Sequence, residues 1–421
     1  MTALPAPPEG LIVPDPADPR HLRRVLPAAL DAAGVVLPPG VPGGDPAAAR
    51  AGLGLPEVAR VCVVLVDGLG AHNLDARGGH APYLRRRSHD EASLRLTTCA
   101  PSTTAAAITT FGTGALPGAT GMVGYEARDP ARGTAMSLIA WEDTTLTPRS
   151  VQTVPTLAER AAERSPGARR PVSIGPARFV GSGLTEAALR GWEPRTAESL
   201  PQRVDATVAA LREPAVAVTY LYWGDLDHAG HEHGWTSDAW VAELEHLDAE
   251  LGRLARTLAR LPGETLLLVT ADHGMVDVER RHDLAAHPGL ARDVALVTGD
   301  LRAPQAWVAT AADAPGTAGL RAAGPRDPAA TRDLAEQVAA RWRAELDDAW
   351  VLTRDEVLAS GLLGEPSPAA TELLGDVVAF LGGRDVVVDS RRQRPSMVHM
   401  PGVHGSLDPD ETTVPLLVDV I

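Results

Sequence analysis

Aspartate and histidine are concentrated in four short segments of this sequence, each followed closely by glycine. Asp67 follows the apolar run Val61–Val66, and Asp272–Gly274 is an Asp-His-Gly triplet after a second apolar run. Two aspartates and three histidines fall within Asp225–His233, and His404 lies in a glycine-flanked segment near the C-terminus. Carboxylate oxygen and imidazole nitrogen are ligands that zinc and related divalent ions accept. The chemistry to consider first is therefore metal binding.

Each of these signals is weak when it is taken alone. An Asp-Gly pair after a strand is more often a turn or the cap of the next helix. A lone histidine such as His404 is more often an ordinary loop residue. Their joint occurrence at strand ends and in glycine-flanked loops favours a metal site, because these places converge at one edge of a parallel α/β sheet.

A run of hydroxyl side chains precedes a segment of small residues that is typical of a buried helix. Ser102, Thr103 and Thr104 stand at its start, and it leads to Thr113 and Gly114. A hydroxyl in this place can simply cap the helix. It also suits a nucleophile that attacks phosphorus, because the free amides and the dipole of a helix N-terminus favour anionic oxygens.

The elements that would position these residues alternate between strands and helices. The best helix is expected from Ser237 to about Leu261, with leucines along one stripe. Such alternation predicts an α/β fold with a mostly parallel central sheet and helices on both faces. The β-rich runs that suggest it are Val58–Val66, Val172–Gly175, Val216–Trp223, Thr265–Thr270 and Thr413–Val418.

The pattern changes after the Asp-His-Gly triplet, where Pro/Gly/Ala-rich connections surround a helix near Ala330–Leu346 and an apolar run at Asp376–Leu381. We interpret this region as an insertion, here called the cap. We divide the chain into an N-terminal arm and first helix (1–57), a catalytic α/β core (58–275), the cap (276–396) and a C-terminal return that carries a metal ligand (397–421).

Composition excludes several classes of protein. The chain has 421 residues, a formal net charge of −15 and 44% hydrophobic residues, which exclude a disordered, collagen-like or coiled-coil protein. The negative balance argues against broad binding to a nucleic-acid polymer or to an anionic membrane. Neither a signal peptide nor a membrane span is visible, so a cytoplasmic protein is expected. The sequence does not indicate an oligomeric state.

In order and spacing, these segments resemble the alkaline phosphatase superfamily, most closely its nucleotide pyrophosphatase/phosphodiesterase branch. The resemblance spans roughly Arg60 to Ser406. In that family a Thr-Gly pair lies nine residues after the nucleophile, and counting back from Thr113 and Gly114 gives Thr104. The other matched motifs are Asp-x-x-x-His-x-x-Gly at Asp227, His231 and Gly234, Asp-His-Gly at Asp272–Gly274, and Gly-x-His-Gly at Gly402–Gly405.

The resemblance implies two divalent metal ions, with zinc as the first choice and manganese as the alternative. Asp225, His228 and His233 have no place in the family's ligand set and could hydrogen-bond to ligands or serve ordinary surface roles. The implied ligands are Asp67, Thr104, Asp272 and His273 for one ion, and Asp227, His231 and His404 for the other.

One position departs from the family. Phosphodiesterases of this branch commonly carry an asparagine shortly after the Thr-Gly pair, where it helps to bind a phosphoryl oxygen. The matching residue here is Tyr125, whose phenol could donate a hydrogen bond to substrate or could simply pack. The phosphate pocket is therefore expected to be altered.

The resemblance implies hydrolysis of a small-molecule phosphate ester, as a phosphodiester or nucleotide pyrophosphate, by a metal-activated Thr104 through a covalent phospho-enzyme or nucleotidyl-enzyme. Alternatives within the superfamily are a phosphomonoesterase, a phosphonate hydrolase, a manganese-dependent phosphomutase and a sulfatase. A sulfatase is opposed because its signature arginine would fall at Thr103, and nine residues after Cys99 stands Ile108. The alternative of a different class is a metal-stabilised binding protein, for which a hydroxyl at residue 104 has no obvious purpose.

Overall fold

The computed structural model describes residues 4–164, 169–310 and 326–421. Short 3-10 helices lie at Leu22–Arg24, Gly78–His80 and Ala177–Phe179. In chain order the strands are β1 (Arg60–Val66), β2 (Leu94–Thr97), β3 (Glu126–Arg128), β4 (Ala135–Ser137), β5 (Arg170–Gly175), β6 (Glu193–Thr196), β7 (Val216–Trp223), β8 (Thr265–Thr270), β9 (Val276–Asp277), β10 (Arg280–Asp283), β11 (Val294–Gly299), β12 (Pro304–Val308), β13 (Ala349–Thr353), β14 (Val377–Leu381), β15 (Asp385–Val388), β16 (Gly402–Val403) and β17 (Thr413–Val420).

The α-helices in the same ranges connect these strands, and none is both long and apolar enough to cross a bilayer. In chain order they are α1 (Val25–Ala32), α2 (Pro46–Gly52), α3 (Ala71–Arg77), α4 (Pro82–Ser88), α5 (Thr104–Thr113), α6 (Pro117–Thr120), α7 (Pro148–Val151), α8 (Leu157–Arg164), α9 (Gly183–Ala188), α10 (Leu200–Leu211), α11 (Asp225–His233), α12 (Asp238–Leu258), α13 (Pro288–Ala291), α14 (Pro328–Glu345), α15 (Arg354–Ser360), α16 (Pro368–Leu373), α17 (Pro395–Val398) and α18 (Pro409–Thr412).

A seven-stranded sheet forms the centre of the molecule, in the order β2-β17-β8-β1-β7-β5-β6. The five strands from β8 to β6 are parallel, whereas β17 is antiparallel to both of its neighbours. Strands β1, β7 and β8 are apolar and buried along almost their whole length, as expected for parallel strands covered on both faces. The prediction of a mostly parallel α/β sheet is confirmed.

The register of the sheet brings the ends of its three central strands level. Val66 is paired with Trp223 of β7, and Leu65 with Thr270 of β8. In parallel strands the carboxyl ends meet at one edge. The residues that follow β1, β7 and β8, which include three of the predicted aspartates, therefore meet there.

The long helix α12 contributes its leucine stripe to the same apolar core as the central strands. The Ser237 hydroxyl caps it by accepting a hydrogen bond from the Trp240 amide at 3.2 Å, and its leucine stripe is buried. The helix ends at Leu258, three residues before the predicted end. Pro262 disfavours helical backbone at the residue before it, and Leu261 instead closes a turn onto the carbonyl of Leu258.

The cap contains a second sheet with its own core. Strands β11, β12, β14 and β13 form an antiparallel sheet in that order, and α14 packs its Val338, Ala339 and Trp342 against it. This sheet lies entirely within the predicted cap, although the exact limits of the four predicted regions remain predictions. The N-terminal arm is hydrogen-bonded to several distant segments. Ile12 donates its amide to the Leu407 carbonyl, the Trp350 indole donates to the Pro5 carbonyl, and the Thr97 amide donates to the Arg20 carbonyl.

Candidate metal centre and nucleophile

Three strand ends and one loop deliver the predicted ligands to one place. Asp67 directly follows β1, and Asp272 with His273 follows β8. Asp227 and His231 lie on α11, where a spacing of four residues puts both on one face of the helix. His404 comes from the loop after β16. The structure therefore brings together every residue of both predicted ligand sets.

The ligand atoms form two adjoining groups that share Asp227. In the more exposed group, the Nε2 atom of His231 lies 3.2 Å from Oδ2 of Asp227, and that of His404 lies 4.0 Å from Oδ1 of the same carboxylate. In the buried group, Nε2 of His273 lies 3.3 Å from Oδ1 of Asp67. Each group offers three ligand atoms within 4.8 Å of one another: Asp227, His231 and His404 in one, Asp67, Asp227 and His273 in the other.

All three histidines are held by hydrogen bonds from Nδ1 to backbone carbonyls. His231 bonds to Gly402 at 2.8 Å, His404 to Ser102 at 2.9 Å and His273 to Gly274 at 3.0 Å. A proton on Nδ1 leaves the lone pair of Nε2 directed into the site, which is the tautomer that a metal ligand needs.

The carboxylates carry a second indication of cations. Oδ1 of Asp67, Oδ1 of Asp227 and Oδ2 of Asp272 are buried, and none has a hydrogen-bond partner in the described part of the chain. An unpaired buried carboxylate oxygen is costly. With neutral imidazoles these three aspartates bring three negative charges into one small volume. This donor set fits two divalent cations.

The pKa values show how strongly these groups interact. Burial alone would lower the pKa of His273, but Asp272 and Asp67 raise it to about 10. Burial, together with the charge of Asp67, raises the pKa of Asp272 well above its usual range. Without a cation, protons must therefore balance part of the carboxylate charge. Metal binding would displace such protons from the ligands.

Thr104 is the first residue of α5, and its hydroxyl faces the buried group. Its Oγ1 atom lies 3.1 Å from Nε2 of His273, and the residue is 8% exposed. The cap residue Thr103 makes no side-chain hydrogen bond to the helix, so the first amides of α5 are left for another acceptor. Anionic oxygen bound there would face both these amides and the positive end of the helix dipole.

The loop that carries Thr104 is tied to the loop that carries His404. The Ser102 amide donates to Gly405 at 3.2 Å, and the Ser102 hydroxyl donates to Ser406 at 2.7 Å. The His404 ring donates to Ser102, as described above. The segment that leads to Thr104 and the loop that carries His404 thus form one hydrogen-bonded unit.

Most of the chain matches one known protein family. The sequence pattern of the family "Type I phosphodiesterase / nucleotide pyrophosphatase" matches residues 61–407. The chain belongs to this family. The chain is similar to human ectonucleotide pyrophosphatase/phosphodiesterase family member 7 over 80 residues, where the two sequences are 31% identical. This segment is 18% of each of the two chains.

Solved structures of the alkaline phosphatase superfamily share the fold. Murine ectonucleotide pyrophosphatase/phosphodiesterase 5 has a TM-score of 0.63 at 16% identity, over 85% of this chain and 87% of that one. Phosphonoacetate hydrolase from Sinorhizobium meliloti 1021, in complex with phosphonoformate, has a TM-score of 0.61 at 18% identity, over 85% of this chain and 89% of the other.

Two further residues lie close in space to the matched motifs. Neither was predicted from the sequence. The Tyr222 hydroxyl on β7 donates a short hydrogen bond to Oδ2 of Asp67. Asp300, at the tip of the β11–β12 hairpin, is buried against Gly405, and it accepts a hydrogen bond from the Tyr125 amide at 3.3 Å. For Tyr222 the sequence signal is its place near the C-terminal end of the β-rich run Val216–Trp223; for Asp300 the sequence carries no such signal.

Tyr125 takes part in the site through its backbone, and its phenol lies near Ser137. Its role in substrate binding remains a prediction. Asp225, His228 and His233 are exposed on α11, and the rings of His228 and His233 each lie 3.7 Å from Glu232, on the solvent side of the helix.

The cysteine on which a sulfatase assignment would depend is poorly suited to catalysis. Cys99 is buried, and burial raises the pKa of its thiol to about 12. A nucleophilic cysteine needs the thiolate, which is favoured in partly exposed, electropositive surroundings. Thr104 is the better candidate for the nucleophile.

Proposed function

We propose that this chain hydrolyses phosphate esters, with phosphodiester or nucleotide pyrophosphate bonds as its substrates, and that Thr104 is the nucleophile. The observation that carries the proposal is the position of the Thr104 hydroxyl, at a helix N-terminus and 3.1 Å from His273 in the buried ligand group. Membership of the phosphodiesterase family supports the same reaction class. An inactive variant of murine ectonucleotide pyrophosphatase/phosphodiesterase 5, with threonine changed to alanine, was solved in complex with AMP.

The residues would act in two displacements. Thr104 loses its proton to solvent and its Oγ1 bonds to phosphorus, while the bond from phosphorus to the leaving oxygen breaks and that oxygen takes up a proton. Water then attacks the phosphorus atom of the phosphorylated or nucleotidylated Thr104. The bond from phosphorus to Oγ1 breaks, Oγ1 takes up a proton, and phosphate or a phosphate monoester is released. The first amides of α5 hold the phosphoryl oxygens during both steps.

Asp67, Thr104, Asp272 and His273 would hold one divalent cation, and Asp227, His231 and His404 would hold the other. Zinc is the first choice and manganese the alternative. When bound, two such ions supply positive charge that favours ionised threonine and stabilises charge on the transferring group. The histidines bind as neutral rings, and the backbone carbonyls at their Nδ1 atoms keep them in that tautomer and orientation.

A second candidate is phosphonate hydrolysis, favoured by the similarity to phosphonoacetate hydrolase with bound phosphonoformate. Tyr125 stands where the family commonly carries asparagine, so the preferred substrate class is decided by experiment. An aryl phosphate diester, an aryl phosphate monoester, phosphonoacetate and an aryl sulfate, offered to zinc-loaded and manganese-loaded protein, separate the candidates. Fastest turnover of the diester supports the proposal, and turnover of none of them favours the binding-protein alternative.

Thr104 is tested by two substitutions. Thr104→Ala should lower kcat by about 10³-fold or more, whereas Thr104→Ser keeps a hydroxyl in place and should retain part of the activity. Mass spectrometry after acid quench should find a phosphoryl adduct on the peptide that contains Thr104, and none in T104A. Activity of T104A above a tenth of the parent value would reject the assignment.

A further inference from the structure

A second polar cleft lies in the cap, between β12, the end of β3 and the N-termini of α14 and α15. It is a cavity of about 390 Å³, and its lining includes four arginines around a tryptophan: Arg128, Arg326, Arg332, Arg354 and Trp307. None of these residues belongs to the metal centre. In a chain with a net charge of −15, such a concentration of arginine requires a physical explanation.

The indole of Trp307 organises three of the guanidinium groups. Those of Arg128, Arg326 and Arg354 lie 5.6, 5.7 and 5.3 Å from its ring centre, within the range of cation–π attraction. The indole nitrogen donates to the Thr298 hydroxyl at 2.9 Å, which fixes the ring. Trp307 is 3% exposed, so it supports the arginines from below and is not a stacking surface for a ligand.

Two of these arginines share one carboxylate. Asp376 accepts hydrogen bonds from Arg326 at 2.6 Å and from Arg354 at 2.8 Å. Backbone carbonyls complete their positioning, at Val308 for Arg326 and Leu374 for Arg354. Burial lowers the pKa of Arg354, and the neighbouring Arg326 adds to this effect. One carboxylate thus serves two fixed guanidiniums.

The other acidic groups of the lining lie on its exposed rim. Asp355 forms an exposed ion pair with Arg332 at 2.9 Å on the rim, and Glu372 is exposed. Such groups are well screened by solvent. The excess positive charge remains in the interior of the cleft, at Arg326 and Arg354.

The start of α14 adds unused hydrogen-bonding capacity. This helix has 18 residues, and Asp327 caps it through the Ala329 amide. Thr331, in its first turn, lines the cleft at 8% exposure, and its hydroxyl has no hydrogen-bond partner within the described ranges. Nε of Arg326 is likewise buried and unpartnered there. A buried donor that lacks a partner commonly marks a place where a ligand or water completes the bonding.

We propose that this cleft is a second anion site, separate from the Thr104 centre, which binds a phosphate group. A phosphate dianion supplies the negative charge that Asp376 only partly provides, offers acceptors to both guanidiniums and to the Thr331 hydroxyl, and meets the positive end of the α14 dipole. Inorganic phosphate and a phosphate monoester such as AMP share this chemistry.

The test is calorimetric titration of the full chain with inorganic phosphate, and separately with AMP, in chloride buffer. Each titration is done on metal-loaded protein and again after EDTA treatment. Phosphate bound at the metal centre should disappear with the metal, whereas binding in the cap should persist after EDTA and in T104A. Equal affinities for inorganic phosphate and AMP would show that the site recognises the phosphate group alone. Tighter binding of AMP would show that it also recognises the nucleoside.

Three variants locate the binding. Arg354→Gln should weaken the EDTA-resistant binding about tenfold. Thr331→Val, which breaks no hydrogen bond among the described residues, should weaken it several-fold. Arg95→Gln removes an exposed arginine elsewhere and should leave it unchanged. Absence of EDTA-resistant binding, or equal affinity in T331V and the parent protein, overturns the proposal. The affinity of T331V tests the proposal even if R354Q fails to fold. The EDTA-resistant binding does not depend on the role proposed for Thr104.

Discussion

Replacing Tyr222 with phenylalanine should weaken metal binding without disturbing the sheet. The Tyr222 hydroxyl donates to Oδ2 of Asp67. Burial and the charge of Asp67 raise the pKa of this phenol well above its usual range, so it remains a proton donor. Losing a hydrogen bond to a buried charged group costs roughly 1.5–3 kcal/mol. At 1.4 kcal/mol per tenfold change, this corresponds to a loss of about 10- to 100-fold in affinity, the range typical for residues that orient metal ligands.

Tyr220 on the same strand provides the matched control. Its hydroxyl is buried and has no hydrogen-bond partner among the described residues, so Tyr220→Phe removes the same atom without breaking a bond. Both variants are equilibrated in zinc buffers set by a chelator of known affinity, and bound zinc is measured by elemental analysis. An affinity of Y222F within twofold of the parent, or an equal loss in Y220F, would refute the reasoning.

Three further changes test neighbouring parts of the site. Burial, assisted by the charge of Asp300, raises the pKa of Glu126 from its usual value of 4.5 to about 7. The folded state therefore holds a proton that the unfolded state has lost, so the free energy of unfolding should fall between about pH 4.5 and 7, by at most about 3.4 kcal/mol. Denaturant unfolding across this window should show a smaller fall in Glu126→Gln. His231→Ala should remove about one metal ion per chain by elemental analysis, whereas His233→Ala, on the exposed face of the same helix, should remove none. Gly405→Ala, whose new Cβ would lie 2.5 Å from a buried aspartate, should lower both Tm and kcat, while Gly383→Ala in open space should cost only the roughly 1–2 kcal/mol of left-handed backbone.

Much of the candidate site could be predicted because its residues occur within local sequence patterns, at the ends of apolar strands or on one face of a helix. Asp67 and Asp272 end apolar strands, and the central position of those strands follows from their apolar length. Asp227 and His231 are four residues apart on one helix. Such short-range patterns can be recognised in the sequence even where long insertions separate them.

The residues that were missed depend on contacts between distant segments. Tyr222 reaches Asp67 only because β7 pairs with β1 in one register, and a shift by one residue would turn its side chain to the other face. Asp300 arrives on a hairpin of the cap, and its contact with Gly405 requires two loops that are about a hundred residues apart in sequence to meet. The antiparallel direction of β17 relative to β2 and β8 was not predicted for a similar reason. The direction of a strand depends on the path of the chain that precedes it.

Close packing at the strand ends links these local patterns to one another. Gly68 has a φ of +73°, and a Cβ atom there would lie 3.0 Å from Oδ1 of Asp227. The turn after β1 can thus approach the ligand shared by both groups only because residue 68 has no side chain. At the opposite side, the Ser102 loop is bonded to the His404 loop. A change in either loop should therefore affect the proposed nucleophile Thr104 and the proposed ligand His404 together, so metal content and kcat are expected to fall together in variants of these loops.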